Sequence, residues 1–264
     1  MKTSLKNSYD LMMRYDLFVA KTLRISRNKA LELIQKEEVM LNKSFFKAAF
    51  DVSQYARNTF HLSSLSDEEL LRMKNLNLEL FNTVYVSRGA LKLKNFLCNL
   101  NIKLQEKTCL DIGSSTGGFV QVLLENNVRS VSALDVGQGQ LHSLLRQDKR
   151  VKLFENTDIR VFKSDTKFDC VTVDVSFISL QNLLVCIDNL ALCDIVLLFK
   201  PQFEVGREAK RNKKGVVLDE KAVQQARKKF EKSCGKLGWI LQNSTESSIK
   251  GKEGNVEYFY HYKK

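Results

Sequence analysis

From Tyr85 onward the chain alternates short apolar runs with longer stretches whose apolar residues recur at helical spacing. The runs 108–112, 128–136, 151–154, 168–175, 193–199, 237–242 and 256–262 have strand length, and helices are expected over 87–99, 118–126, 138–147, 179–191 and 219–236. Such alternation predicts a mostly parallel sheet with both faces covered. The last two runs are separated by NSTESSIKGKEGN, which has no helical spacing, so they are expected to lie antiparallel. The front of the chain has a different rhythm. RYDLFVAKTL places Leu17, Phe18 and Leu23 on one side of a short helix. SRNKALELIQKE repeats Ala30, Leu31, Leu33 and Ile34 behind Ser26, a candidate N-cap. VMLNKSFFKAAFDV then alternates about Asn42–Lys43, as a strand pair with its turn would. Residues 54–83 are polar and mixed, with SDEELLRMKNLNLELF as a linker helix. The expected organisation is a small α+β domain at 13–65, a linker at 66–84 and an α/β domain at 85–264.

With 264 residues, 44% of them apolar, the chain can bury one large core and one small one. Its apolar stretches fall far short of the ~20 residues of a membrane span. The segment MKTSLKNSYDLMMRYDLF lacks the apolar centre of a signal peptide, so a cytosolic protein is expected. Six cysteines form no C-x-x-C pair and mostly lie in or beside apolar runs, the usage of reduced core thiols. Three histidines without ligand spacing give no metal site. The net charge of +12 is unevenly spread: residues 1–65 hold 11 Lys/Arg against 6 Asp/Glu, 205–236 hold 11 against 4, and the rest balances. Two basic regions flanking a neutral body point to a polyanion partner.

The candidate chemistry begins at CLDIGSSTGGFVQVLL, a strand, a glycine-rich turn and a helix. The turn from Gly113 through Ser114 and Ser115 to Gly117 and Gly118 matches neither G-x-G-x-x-G nor a P-loop, having no Lys after its glycines. Asp111, two residues ahead, would repel a pyrophosphate but suits a cofactor with positive charge. S-adenosylmethionine carries a sulfonium and an ammonium, and residues without Cβ let the backbone approach it. Asp135 ends the next strand, where a carboxylate can accept from both ribose hydroxyls, a feature that NAD would share. Asp158 or Thr157 stands where an adenine edge can be read.

The lone proline, Pro201, narrows the acceptor. An exocyclic-amine methyltransferase would present [DN]-P-P-[FY] where this chain has TVDVSF, and a cytosine-C5 enzyme would place Cys beside Pro where this chain has Lys200-Pro201-Gln202. Hydroxyl methylation is left. Asp174 and Lys200 close successive strands and would meet at the carboxyl edge of the sheet, and Lys92 and Glu257 could complete a cluster that deprotonates a hydroxyl. Two neighbouring ammonium groups depress each other's pKa.

With YVSRGALKL, CLDIGSSTGGFVQVLL, ALDVGQGQL, VDVSFISL, LLFKPQFEVGR and SSIKGKEGNVEYF in place, residues 13–262 resemble the TlyA-type ribosomal RNA 2′-O-methyltransferases, the hemolysin A family, whose catalytic half is similar to the FtsJ class. The resemblance implies a Rossmann-like S-adenosylmethionine-dependent methyltransferase domain with a catalytic tetrad at Lys92, Asp174, Lys200 and Glu257. It places the cofactor on the 111–118 turn and Asp135, and implies methyl transfer to a cytidine ribose in ribosomal RNA. A ribose 2′-hydroxyl makes RNA, not DNA, the substrate.

The front section resembles the alpha-L RNA-binding domain of small-subunit ribosomal protein four, with Arg14, Lys21, Arg24, Arg27 and Lys29 on its helices for phosphates. Glu38 and Lys43 stand where that family usually has glycine. Arg88 and the basic loop REAKRNKKG, with Lys210, Arg211, Lys213 and Lys214, are further RNA contacts, the loop closing over the substrate. Residues 1–12 read as an extension. The short end after HYKK is the feature that the family associates with 23S RNA in the 50S subunit, 16S remaining the alternative. The contrasting readings are an inactive RNA-binding assembly factor and NAD-dependent chemistry on a small substrate.

Overall fold

The computed structural model of the chain describes residues 12–80, 85–98 and 100–264. Residues 1–11 of the expected extension, 81–84 of the expected linker and Asn99, where the helix expected over 87–99 ends, lie outside the described residues. The chain divides into two compact units, Met1–Val84 and Tyr85–Lys264.

In the first unit α1 (Tyr15–Leu23) packs on α2 (Arg27–Gln35), and these are followed by β1 (Val39–Leu41), α3 (Val52–Phe60), α4 (Asp67–Arg72) and β2 (Leu78–Leu80). Ser26 caps α2 by accepting the Lys29 N–H at 3.2 Å. Tyr15, Phe18, Val19, Ala30 and Leu33 form the centre of its core. Four expectations need correction. The turn at Asn42 (φ 46°) and Lys43 (φ 63°) forms and closes with a single Leu41–Ser44 bridge, but the strand partner of β1 is β2, antiparallel with Leu41 opposite Leu78. The alternation in SFFKAAF turns rings inward without a ladder: Phe46 stacks on Phe50 at 3.9 Å and both contact Tyr55. Asp51 then accepts the Gln54 N–H and starts α3 inside what reads as a polar stretch. The stretch expected as a linker is built into the unit. Ser66 and Glu69 make a capping box on α4, and Leu70 and Leu76 join the core.

In the second unit the order is α5 (Arg88–Cys98), β3 (Thr108–Ile112), α6 (Gly118–Glu125), β4 (Ser130–Leu134), α7 (Ser143–Arg146), β5 (Val151–Phe154) and β6 (Phe168–Val173). A 3₁₀ turn at Leu180–Asn182 leads into α8 (Leu184–Leu190), then β7 (Ala191–Phe199), α9 (Pro201–Glu204), α10 (Glu220–Lys236), β8 (Ile240–Glu246) and β9 (Tyr258–Lys263). The sheet order is β5-β4-β3-β6-β7-β9-β8. Every pairing is parallel except those of β9, antiparallel to both β7 and β8. One face is covered from α8 and α10, with Ile187 and Phe230 against Val171, Ile195 and Tyr260. The other is covered from α5 and α6, with Leu93, Phe96 and Phe119 against Val196, Leu198 and Phe259.

The helix expected over 138–147 shrinks to α7 because side chains hold its first residues as a loop: Asp135 accepts the Gly137 N–H and Glu155 the Gly139 N–H, each at 2.7 Å. The chain leaves β3 toward β4 and β5 on one side and returns to β6 and β7 on the other. The gap between β3 and β6 is therefore the topological switch point, where open α/β sheets bind ligands beyond their carboxyl ends.

Candidate active site

Asp111 lies on β3 and points into this switch point with about 1% of its surface exposed. Thr172 on the neighbouring β6 donates its hydroxyl to Oδ1 at 2.7 Å, while Oδ2 has no hydrogen-bond donor. Burial pushes the carboxyl up to about 7; Thr172 opposes the rise and nearby Asp174 and Asp135 add to it. The next turn crosses the end of β6 so closely that a Cβ on Gly113 (φ 81°) would stand 2.5 Å from the Asp174 carbonyl oxygen. Ser114 buries a hydroxyl without a partner.

A buried carboxylate with one orphaned oxygen, an orphaned hydroxyl and a backbone cradle suit a ligand with a cationic amine, so the residues fit S-adenosylmethionine. A cavity of 470 Å³ runs past Asp111, Gly113, Ser114, Ser115 and Gly118 to Asp174 and Lys200. An adjoining cavity of 380 Å³ is lined by Gly113, Ser115, Asp135, Thr157 and Asp158.

Asp135 accepts the Ser115 N–H at 2.8 Å and the Gly137 N–H at 2.7 Å, which locks the turn to the tip of β4. Asp158 lines the same cavity, but its oxygens are occupied by Arg160, at 2.5 Å to Nη2, which holds its carboxyl below the usual range. Gly117 does not line these cavities. It starts α6 in a left-handed conformation, and a Cβ there would clash with Leu145. Gly118 lets α6 approach α5, since a Cβ would lie 2.8 Å from the Ala90 nitrogen.

Two lysine–carboxylate pairs stand beside this turn. Lys92, on the buried face of α5, meets Glu257 just ahead of β9 at 2.6 Å, the side chains only 10% and 3% exposed. Lys200, following β7, lies 2.6 Å from Oδ1 of Asp174, following β6. That contact lacks hydrogen-bond geometry, for Oδ1 has no donor while the Lys200 ammonium donates to Ser176 Oγ at 3.0 Å. Pro201 begins α9 and leaves Lys200 extended (φ −115°, ψ 101°), which places its side chain at the sheet edge. Lys92, Lys200 and Glu257 also line an outer cavity of 640 Å³ with Arg211, Lys214 and Lys252.

The expected RNA contacts divide. Arg14 and Arg27 both bind the buried Asp16, at 3.2 and 2.9 Å; burial opposes its ionisation, but the two guanidiniums hold the carboxyl below its usual range. Lys21 pairs with Asp67 at 3.0 Å and Lys29 with Glu32 at 3.1 Å. Arg24 ends α1 in a left-handed conformation. In the second unit Arg88 donates to the Lys250 carbonyl at 2.9 Å. Arg211 gives its guanidinium to the carbonyls of Val205, Gly206, Arg207 and Ala209, so it shapes the basic loop, and Lys210, Lys213 and Lys214 are exposed on it.

Thr172, Ser176, Lys252 and Phe177 escape a reading by spacing. Phe177 sits in a left-handed conformation (φ 64°), is 91% exposed and lines both the Asp135 cavity and the outer one. VDVSFISL and SSIKGKEGNVEYF contain three of these residues, but only folding shows which side chains reach the site.

The comparisons agree with this architecture. The family model described as FtsJ-like methyltransferase matches residues 85–264. The chain is 60% identical over 250 residues to a Campylobacter jejuni protein named 23S rRNA (cytidine-2′-O)-methyltransferase TlyA, covering 95% of this chain and 99% of that one. It is 36% identical over 247 residues to a Mycobacterium tuberculosis protein named 16S/23S rRNA (cytidine-2′-O)-methyltransferase TlyA, covering 91% and 85%. A crystal structure from Lactococcus lactis matches 69% of this chain and 89% of its own at 40% identity, with a TM-score of 0.65. Among the described residues no helix is long and apolar enough to cross a membrane. The glycine turn at the β3–β6 switch point and the match over 85–264 together make this chain a member of the FtsJ-like, S-adenosylmethionine-dependent methyltransferase family.

Proposed function

We propose that the chain methylates the 2′-hydroxyl of a cytidine in 23S ribosomal RNA, within the 50S subunit. The observation that carries this reading is the convergence of Lys92–Glu257 and Lys200–Asp174 at the mouth of the glycine-turn cavity. The substrate follows the relative at 60% identity, whose name specifies 23S. The relative named for both RNAs stands at 36%, which keeps 16S as the second substrate to test.

When bound, S-adenosylmethionine supplies an electrophilic methyl group on a sulfonium. Asp111 holds the cofactor's amine, the 113–118 turn its carboxylate side, and Asp135 its ribose. Lys200 and Asp174 act together as the proton acceptor: the ribose proton passes to the pair as the oxygen becomes a nucleophile. Asp174 Oδ1, without a donor of its own, is an available acceptor. Lys92 and Glu257, more deeply buried, fix the direction from which the hydroxyl enters. In-line displacement is demanding in geometry, so this orientation carries much of the rate. The first unit supplies the alpha-L RNA-binding surface. Its Asp67 and Glu32 hold Lys21 and Lys29 in partly exposed ion pairs, which phosphate oxygens can replace at small cost, whereas Arg14 and Arg27 stay tied to the buried Asp16.

The test is incubation with methyl-labelled cofactor and separated 30S and 50S subunits lacking the modification, followed by ribose analysis. Label on a cytidine 2′-oxygen of 50S is expected. Label on neither subunit, with cofactor still bound, would sink the reading.

A further inference from the structure

Resting on that reading, we propose that Lys252 is a positioning residue that holds the phosphodiester at the 3′ carbon of the target ribose. A 2′-hydroxyl in RNA does not arrive alone: the adjacent carbon carries a phosphodiester, so a negative charge enters the site with the reacting oxygen. The buried tetrad offers that charge no net attraction, because Lys92 faces Glu257 and Lys200 faces Asp174, each at 2.6 Å. The other cations lining the inner and outer cavities are Arg88, Arg211, Lys214 and Lys252. Arg211 is committed to backbone carbonyls and Arg88 donates to the Lys250 carbonyl. Arg88 borders only the inner cavity, and Lys214 only the outer one. Among these described cations Lys252 alone lines both. It therefore stands where the ribose must pass from one to the other.

The backbone beneath Lys252 is fixed. Gly251 donates its N–H to the Asn255 carbonyl at 2.8 Å and Gly254 donates to the Gly251 carbonyl at 2.9 Å, closing a tight turn around Lys252 and Glu253. A Cβ on Gly251 would come 2.6 Å from Oε1 of Glu257, so this turn is pressed against the carboxylate that binds Lys92. The side chain of Lys252 is exposed above it. An ammonium on an anchored base, next to the reacting pair, is placed to clamp one phosphate oxygen and set the angle of the ribose. Glu253, also exposed and lining the outer cavity, carries the opposite charge, which gives the proposal a signed test.

The experiment measures kcat/KM for methyl transfer to 50S subunits lacking the modification, across a potassium chloride series. It compares the wild type with Lys252→Ala, Lys252→Arg and Glu253→Gln. Lys252→Ala is expected to lower kcat/KM roughly tenfold and to make the log–log salt slope shallower by about 1. Arg should restore both, Glu253→Gln should raise kcat/KM, and cofactor affinity measured by calorimetry should stay constant. An unchanged salt slope in Lys252→Ala, or an equal loss in Lys252→Arg, would overturn the proposal. So would a displaced pH–rate profile, which would put Lys252 in the proton transfer. Absence of transfer by the wild type would remove the underlying function and this assignment with it; transfer by the wild type with indifference to Lys252 would remove the assignment alone.

Discussion

The two ends of the central sheet both bury charge, and they treat it in opposite ways. At the end where the parallel strands begin, Asp194 meets His261 Nε2 at 2.8 Å and Lys107 at 3.7 Å. Asp169 there accepts both the N–H and the hydroxyl of Thr108. Burial works against the Asp194 carboxylate, yet His261 and Lys107 hold its pKa below the usual range; the Thr108 N–H does the same for Asp169. At the carboxyl end Asp111 is pushed up to about 7, and Asp111 Oδ2, the Ser114 hydroxyl and Asp174 Oδ1 lack donors. Satisfied charge is a structural device, while buried polar atoms left without partners are held ready for something that arrives later. Tyr262, beside Ile195 near the first end, also buries a hydroxyl without a partner, so it is the clustering of Asp111, Ser114 and Asp174 around one cavity, more than any single orphaned atom, that supports the candidate site.

The largest expected effect on stability lies at the satisfied end. Asp194→Ala leaves His261 and Lys107 facing a buried gap, and should cost about 3–5 kcal/mol in a denaturant titration. Methyl transfer per folded molecule should be unchanged; a loss there would erase the contrast between the two ends.

Asp111→Asn should act with the opposite sign. The raised pKa of Asp111 means that its contribution to stability is complete below its ordinary value of 3.8 and is lost as pH rises through about 7. Removing the charge should therefore stabilise the cofactor-free protein at pH 8 by roughly 1–3 kcal/mol, with no gain at pH 4. Cofactor affinity should fall at least tenfold, on the order of one lost charge-assisted hydrogen bond. A destabilised Asp111→Asn at pH 8 would show that the carboxylate is already compensated. The carboxylates at the other end, with lowered pKa values, stabilise the protein above the usual carboxylate range and lose that contribution as pH falls through their folded values.

The smallest effect belongs to the first unit. Lys21 and Asp67 are each 40% exposed, so Lys21→Ala should change stability by less than about 1 kcal/mol. It should nonetheless weaken ribosomal RNA binding and reduce its salt dependence by about 1 in slope. A large stability loss without a change in RNA affinity would make this ion pair a fastening of the unit.

Much of the α/β unit is legible in the chain because its strands are buried on both faces and its helices are long enough to show a period. Helix α10 and strand β6 fall within a residue or two of the runs that predict them. The first unit resists such reading. Its strands have three residues each, and their pairing joins Val39 to Leu80 across intervening helices, which no local pattern records. Phe46 and Phe50 imitate an alternating strand while packing as a stacked pair. At the site, Asp111, Asp174 and Lys200 stand at strand ends, where sequence position alone suggests function. Lys252 and Asp194 do not: one needs the turn that presses Gly251 onto Glu257, and the other needs β9 inserted beside β7.

The most direct test of the contrast is methyl transfer by Lys200→Ala, with cofactor affinity and thermal stability measured on the same preparation. Loss of transfer by a factor on the order of 10³ or more, with affinity and melting temperature close to wild type, is the expected result. Transfer retained near the wild-type rate would contradict the assignment of catalysis to the Lys200–Asp174 pair at the carboxyl end of the sheet.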